Sequence, residues 1–100
     1  MAYTVRPAVQ VVEFTRRLAP EPRRAIKHAL TALRNEQGDI KALEGNLTGY
    51  YRLRVGRHRI ILAYAEKRVI EVIFVEERGI VYEIFEAQFV QKLRERLNRS

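Results

Sequence analysis

The sequence has no cysteine, so it can form neither a disulfide framework nor a thiolate metal site. A reducing, cytoplasmic compartment is therefore expected. Histidine is also scarce. The two histidines, His28 and His58, are too few and too far apart to make a convincing metal site, and we expect no metal and no other cofactor.

Long hydrophobic runs are missing as well. The longest apolar stretch, from Ile60 to Ala65, is far shorter than a bilayer span. The first residues carry neither a basic leader nor an apolar run that would indicate a signal peptide. We therefore expect a soluble protein with no membrane partner.

Acidic residues are outnumbered by basic ones. Lys and Arg total 19 against 12 Asp and Glu, which gives a net charge of +7 and a pI near 10.2. A basic excess on a small domain favours polyanions, most often nucleic acid, because each neutralised phosphate releases counterions. Two other interpretations stay open at this point: a solubilising surface charge, or an acidic protein partner.

The first half of the chain predicts a strand and a pair of helices. Ala2 to Arg6 alternates as a strand does, and Pro7 suits the first position of a helix. The segment Ala19-Pro20-Glu21-Pro22 ends that helix and begins another. Apolar residues recur at helical spacing in both, namely Val11, Phe14 and Leu18, then Ile26, Ala29, Leu30 and Leu33. Such a hairpin needs a sheet on which to bury its apolar faces.

The second half predicts that sheet. Asn35 to Gly49 is polar and glycine-rich and is interpreted as a loop. Strands are expected over Tyr50–Val55, His58–Ala65 and Val69–Val75, with a short fourth over Ile80–Ile84 and a closing helix from about Glu86 to Asn98. The apolar fraction of 47% is ample for one core, so residues 1–100 are expected to form one domain. The fold class is α+β, with a mainly antiparallel twisted sheet.

Four arginines lie within eight residues, at positions 52, 54, 57 and 59, and no acid occurs from Gly45 through Ala65. Residues two apart on a strand share a face, so Arg52 and Arg54 point the same way as Tyr50. In the next strand the core face is expected to hold His58, which leaves Arg59 beside the other two arginines. A guanidinium fork matches two phosphate oxygens, so this cluster predicts phosphate binding. The alternative is a solvated face paired with distant acids such as Glu76 and Glu77.

Aromatic residues accompany the cluster. Bases stack on such rings at about 1–3 kcal/mol each, although most tyrosines of small domains simply pack. Tyr51 and Tyr64 are expected in the core. Tyr82, four residues after Arg78, is expected in the site.

The stretch from Leu43 to Gly56, followed by Arg59-Ile60-Ile61, resembles the central signature of RelE toxins. The opening Tyr-x-Val strand, the helix pair and the late Arg78-x-x-x-Tyr82 fit the same superfamily in order. The resemblance implies a RelE-like fold and the role of a type II toxin, which enters the ribosomal A site and cleaves mRNA there. It also implies a cognate antitoxin that wraps around the toxin and inhibits it.

The resemblance also implies residue roles. Arg52 and Arg54 match basic positions that contact the scissile phosphate, and Arg59 matches the arginine that stabilises the transition state. Arg78 and Tyr82 correspond to late basic and aromatic residues, the tyrosine stacking on a base. Together these five are the expected catalytic set, and the expected RNA-binding neighbours are Tyr50, Arg57 and His58. The implied chemistry is attack of a ribose 2′-hydroxyl on its adjacent phosphate, without a metal.

The sequence does not identify the general base of this reaction. Relatives often carry lysine at the first two basic positions, whereas arginine effectively never deprotonates. His58 could titrate, but strand parity favours a structural role. Glu76 and Glu77 could also accept a proton, or could instead pair with the arginines and weaken the site. Two other functions also remain: a ParE-like inhibitor of DNA gyrase, and a catalytically weak RNA-binding relative.

Overall fold

The computed structural model describes residues 2–77 together with Phe85, Ala87, Gln88 and Gln91. Along the chain these form β1 (Thr4–Pro7), α1 (Val9–Arg17), α2 (Pro20–Leu33), β2 (Asp39–Ala42), a 3-10 turn (Gly45–Leu47), β3 (Tyr51–Val55), β4 (His58–Ala65) and β5 (Val69–Glu77). The strand expected over Ile80–Ile84 lies outside the described residues. So does the closing helix, apart from Ala87, Gln88 and Gln91.

The five strands form one sheet in the order β1-β5-β4-β3-β2. β1 runs parallel to β5, and the other three pairings are antiparallel. The expected α+β architecture with a mainly antiparallel sheet is confirmed. No helix in the described part of the chain has the length and apolar character that a bilayer crossing requires.

Two of the predicted boundaries are wrong. Pro7 is the last residue of β1, opposite Val72, and the helix begins only at Val9. Proline fits there because β1 is an edge strand, where a missing N–H breaks no ladder. The expected loop over Asn35–Gly49 contains β2, whose four residues pair with β3. Its alternation is too short to indicate a strand without the partner beside it.

The helices cover one face of the sheet and bury the main core against it. Both helical stripes face the sheet as predicted. Fully or nearly fully buried members of this core are Val11, Ile26, Leu33, Leu53, Ile60, Leu62, Ile70, Val72 and Val75. Each large aliphatic side chain buried in this way stabilises the fold by about 1.5–3 kcal/mol.

The opposite face carries a smaller apolar cluster of Leu47, Ile61, Phe74 and Phe85. A break in register between β4 and β5, at Ile61 and Leu62, allows residues of β5 to serve both clusters. Val72 and Val75, three positions apart, both reach the helical side, which strict alternation forbids. An extra residue on one strand changes the parity in this way and increases the local twist.

Gln10 of α1 completes the edge of β5 beyond the end of β1. Its Nε2 donates to the Val75 carbonyl at 2.9 Å, and its Oε1 accepts from the Val75 N–H at 3.0 Å. The side-chain amide thus takes the place that a paired strand would occupy. Because both groups are partly buried, this pairing satisfies backbone atoms that would otherwise be costly to desolvate.

Val11 and Val9 offer a matched test of the helix–sheet core. Val11 is 1% exposed and Val9 is 72% exposed in the same helix. Val11→Ala should lower the free energy of unfolding by about 2 kcal/mol, from the lost methyl burial and the cavity left behind. Val9→Ala should change it by no more than about 0.5 kcal/mol. Urea unfolding measures both, and equal midpoints for the two variants would contradict this assignment of the core.

Tyr64 offers a test that depends on pH. Its ring packs against Tyr51 and Tyr3, and its hydroxyl donates to Glu36 Oε1 at 3.0 Å. Burial, followed by that hydrogen bond, raises the pKa of Tyr64 from 10.0 to about 12. The folded state therefore holds this proton more tightly than the unfolded state does, and stability should fall as pH rises from 10 toward 12. Tyr64→Phe should lack that part of the decline when unfolding is measured across this range.

Candidate phosphate-binding groove

The three central arginines come together on the sheet face opposite the helices. Arg52 and Arg54 alternate with buried Leu53 on β3, and Arg59 lies directly across from Arg54 on β4. Lys41 on β2 lies across from Arg52. The predicted sharing of a face by the arginines is confirmed, and the lysine adds a fourth cation.

The charges are ordered in a row across four strands. Asp39, Arg54, Arg59 and Glu76 are successive partners on β2, β3, β4 and β5. Two arginines thus stand side by side with an acid at each end. The next row places Lys41 and Arg52 in line with the apolar Ile61 and Phe74, so the cations border the smaller apolar cluster.

The four cations line an open groove of about 410 Å³. Its lining consists of Lys41, Ala42, Leu43, Glu44, Arg52, Arg54 and Arg59. The volume lies within the range of about 300–1,000 Å³ that is typical of ligand sites. Clustered guanidinium donors at the wall of an open groove suit the binding of a phosphate group.

Asp39 is a residue of the candidate site that the sequence analysis did not identify. Its Oδ2 lies 2.7 Å from Arg54 Nε, and its Oδ1 lies 3.3 Å from Arg52 Nη1. Arg52 also donates to the Asp39 backbone carbonyl at 3.3 Å, and its side chain is only 13% exposed. One carboxylate, 44% exposed, therefore pairs with two of the three arginines. The signal in the sequence is the Asp-Ile-Lys-Ala alternation, which is too short to separate a strand from a loop.

Glu76 and Glu77 do not neutralise the arginine cluster, which was the alternative to phosphate binding. Glu76 faces Arg59 in the register, yet its Oε1 accepts the Glu77 N–H at 3.2 Å. The ion pairs of the arginine cluster are made by Asp39 instead. Glu77 lines a separate cleft on the helical side.

The charge of Arg59 is not neutralised by a carboxylate of the described residues. Its Nη1 donates to the carbonyls of Gly56 and His58 at 3.0 and 3.1 Å. Within residues 2–77, no carboxylate forms an ion pair with it. Two neutral acceptors orient the guanidinium without cancelling its charge, and its other N–H groups remain to meet an anion.

Arg57 and His58 do not join the groove. Both line the cleft on the helical side, of about 460 Å³, together with Leu18 and Ala19. The His58 ring is 7% exposed and packs edge-on against Phe14 at 5.6 Å, as strand parity predicts. The RNA-binding role expected for His58 is therefore not supported by its position.

Only some of the remaining expected residues lie in the described part of the chain. Tyr50 packs with the apolar cluster on the groove side, its ring 5.3 Å from that of Phe85. Tyr51 and Tyr64 pack against the main core, as the sequence predicts. Arg78 and Tyr82 lie outside the described residues.

Comparison with protein-family models and with curated proteins gave no match. Solved structures do match. The archaeal RelE–RelB complex from Pyrococcus horikoshii OT3 is 30% identical with a TM-score of 0.66, over 79% of this chain and 98% of that one. The RelB–RelE antitoxin–toxin complex from Methanococcus jannaschii is 26% identical with a TM-score of 0.63, over 80% and 98% of the two chains.

A third match is the toxin–antitoxin complex RelBE2 from Mycobacterium tuberculosis, 22% identical with a TM-score of 0.69, over 78% of this chain and all of that one. Fold and groove together define a small basic α+β protein whose sheet face carries a cluster of cations. At 30% identity over nearly the whole length of the Pyrococcus chain, the protein belongs to the RelE family of toxins, within the RelE/ParE superfamily.

Asp39→Asn should strengthen RNA binding. The carboxylate competes with phosphate for Arg52 and Arg54, so its loss frees both guanidinium groups and removes a repelling charge. Fluorescence anisotropy with a short single-stranded RNA should show tighter binding. The salt dependence should also steepen, by about 0.7 in the logarithmic slope for each additional phosphate that the protein neutralises.

Glu71→Gln is the matched control for this experiment. It removes the same charge and breaks the Arg6–Glu71 ion pair of 3.2 Å near the opposite edge of the sheet. Equally tightened binding in the two variants would mean that net charge alone is responsible. Weaker binding by Asp39→Asn would mean that the carboxylate holds the arginines in their binding positions.

Proposed function

We propose that this chain is the toxin of a type II toxin–antitoxin system and cleaves mRNA in the ribosomal A site. The observation that carries the proposal is the meeting of Arg52, Arg54 and Arg59 in one open groove. Membership of the RelE family supports the toxin role. A cytoplasmic location, where ribosomes and transcripts are available, belongs to the same proposal.

Phosphodiester cleavage by a 2′-hydroxyl suits such a groove. Negative charge grows on the phosphoryl oxygens as the 2′-oxygen attacks, and donors already in place stabilise it without reorganising. Arg52 and Arg54 would release the Asp39 carboxylate and hold the phosphate instead. Arg59, which has no carboxylate partner in the described part, would meet the developing charge. The reaction as written uses no metal or cofactor.

The other expected residues keep supporting roles in the proposal. Tyr50, beside the groove, would contact the ribose or base of the bound nucleotide. Arg57, exposed at the tip of the β3–β4 turn, would meet a neighbouring phosphate as the RNA passes that turn. Arg78 and Tyr82 are proposed on the family resemblance, as a further cation and as a stacking ring. His58 is assigned to packing.

A cognate antitoxin is the proposed protein partner. The similar structures from Pyrococcus, Methanococcus and Mycobacterium are toxin–antitoxin complexes. An antitoxin wrapped around this chain would silence it by denying RNA access to the groove.

Arg59→Ala should abolish growth arrest. Loss of one preorganised donor to the developing charge costs about 100- to 1,000-fold in rate. Induction of the wild type should halt growth, and primer extension should map discrete cleavage sites in transcripts. The variant should show neither while it stays folded. Tyr82→Phe should also relieve toxicity.

Arg17→Ala is the matched control, because Arg17 is exposed at the end of α1 on the helical side. It should remain fully toxic. Full toxicity of Arg59→Ala would show that the catalytic assignment is wrong. Inhibited supercoiling by gyrase with intact transcripts would indicate a ParE-like inhibitor. RNA binding without growth arrest or cleavage would indicate an inactive relative.

A further inference from the structure

Glu44 is a carboxylate that lines the arginine groove, and its backbone is fixed on both sides. It lies between the end of β2 and the 3-10 turn. The preceding Leu43 N–H donates to the Tyr50 carbonyl at 2.9 Å, and the Glu44 carbonyl accepts the Leu47 N–H at 3.2 Å. The side chain is exposed and lines the groove with Arg52, Arg54 and Arg59.

Glu44 differs in its partners from Asp39, the carboxylate that pairs with Arg52 and Arg54. Both oxygens of Asp39 are engaged by guanidinium groups, at 2.7 and 3.3 Å. Among the described residues, the Glu44 carboxylate receives no hydrogen bond and forms no ion pair, and it does not cap the 3-10 turn that it precedes. Its lone pairs are therefore open to a proton from a bound ligand.

The groove needs such an acceptor. Attack by a 2′-hydroxyl is faster when a base removes its proton, and the arginines of the groove cannot do so. His58 is buried on the opposite face, in contact with Phe14. Glu76 is the register partner of Arg59 but does not line the groove, and its Oε1 accepts the Glu77 N–H.

We propose that Glu44 is the general base of RNA cleavage by this chain, an assignment that rests on the proposed function. The carboxylate takes the proton of the ribose 2′-hydroxyl. The 2′-oxygen then bonds to the adjacent phosphorus, and the bond from phosphorus to the 5′-oxygen breaks. The 5′-oxygen leaves with a proton taken from water. The products are a 2′,3′-cyclic phosphate and a 5′-hydroxyl.

Glu44→Gln separates catalysis from binding. The amide has nearly the same shape but accepts no proton, so single-turnover cleavage of a defined mRNA on programmed ribosomes should slow by about 100- to 10,000-fold. Removing the negative charge from a groove lined by Lys41, Arg52, Arg54 and Arg59 should leave RNA binding unchanged or make it tighter. Binding is measured with an mRNA that has a 2′-deoxyribose at the cleavage site and therefore cannot react.

The pH profile provides a second readout. A protonated carboxyl accepts no proton, so wild-type cleavage should slow on the acid side of its rate profile. The Glu44→Gln profile should lack that acid limb. Glu44→Asp keeps the carboxylate on a shorter arm and should recover part of the rate together with the limb.

Glu66→Gln is the matched control, because it removes the same charge from the exposed β4–β5 turn. It should cleave like the wild type. Wild-type rates in Glu44→Gln would overturn the assignment to Glu44 and leave the proposed function intact. Equal losses of binding and cleavage would also overturn it, by showing a structural role. A wild-type chain that cleaves no transcript would overturn both proposals.

Discussion

The antiparallel pairing of β3 with β4 is the constraint on which the groove depends. It sets Leu53 against Ile60 on the helical side and Arg54 against Arg59 on the other. Like charges directly opposite each other destabilise a sheet by up to about 1 kcal/mol. The two buried side chains beneath them contribute several times that, at about 1.5–3 kcal/mol each. Because a one-residue slip would turn the arginines into the core, apolar packing holds the cationic pair in register.

Asp39 reduces the remaining repulsion between the arginines, and an anionic ligand would be able to replace it. It is partly exposed, so its ion pairs with Arg52 and Arg54 are worth little net stability in water. The proposed phosphate ligand would offer the same two arginines comparable acceptors, and Arg59, which does not pair with Asp39, lines the same groove. The fold thus keeps an internal counterion where the substrate is proposed to bind, and exchange of one anion for the other costs little.

The sheet divides its two faces between stability and function. The helical face buries the main core, and His58 belongs to it through its contact with Phe14. The other face combines a small apolar cluster with the cations of the groove. Ile61 and Phe74 lie in line with Arg52 across the strands, so apolar surface borders the guanidinium groups that are proposed to bind phosphate. The proposed RNA substrate carries both charged phosphates and apolar bases, which would match such a border.

The sequence by itself determined the α+β class, the apolar stripes of both helices and the shared face of Arg52, Arg54 and Arg59. These follow from local periodicity, since residues two apart on a strand must point the same way. Tertiary structure alone decided the rest. Asp39 becomes the counterion only because β2 pairs beside β3. Glu44 lines the groove because the Leu43–Tyr50 hydrogen bond holds its segment beside the start of β3. Neighbours across strands depend on pairing and register, which a four-residue alternation is too short to specify.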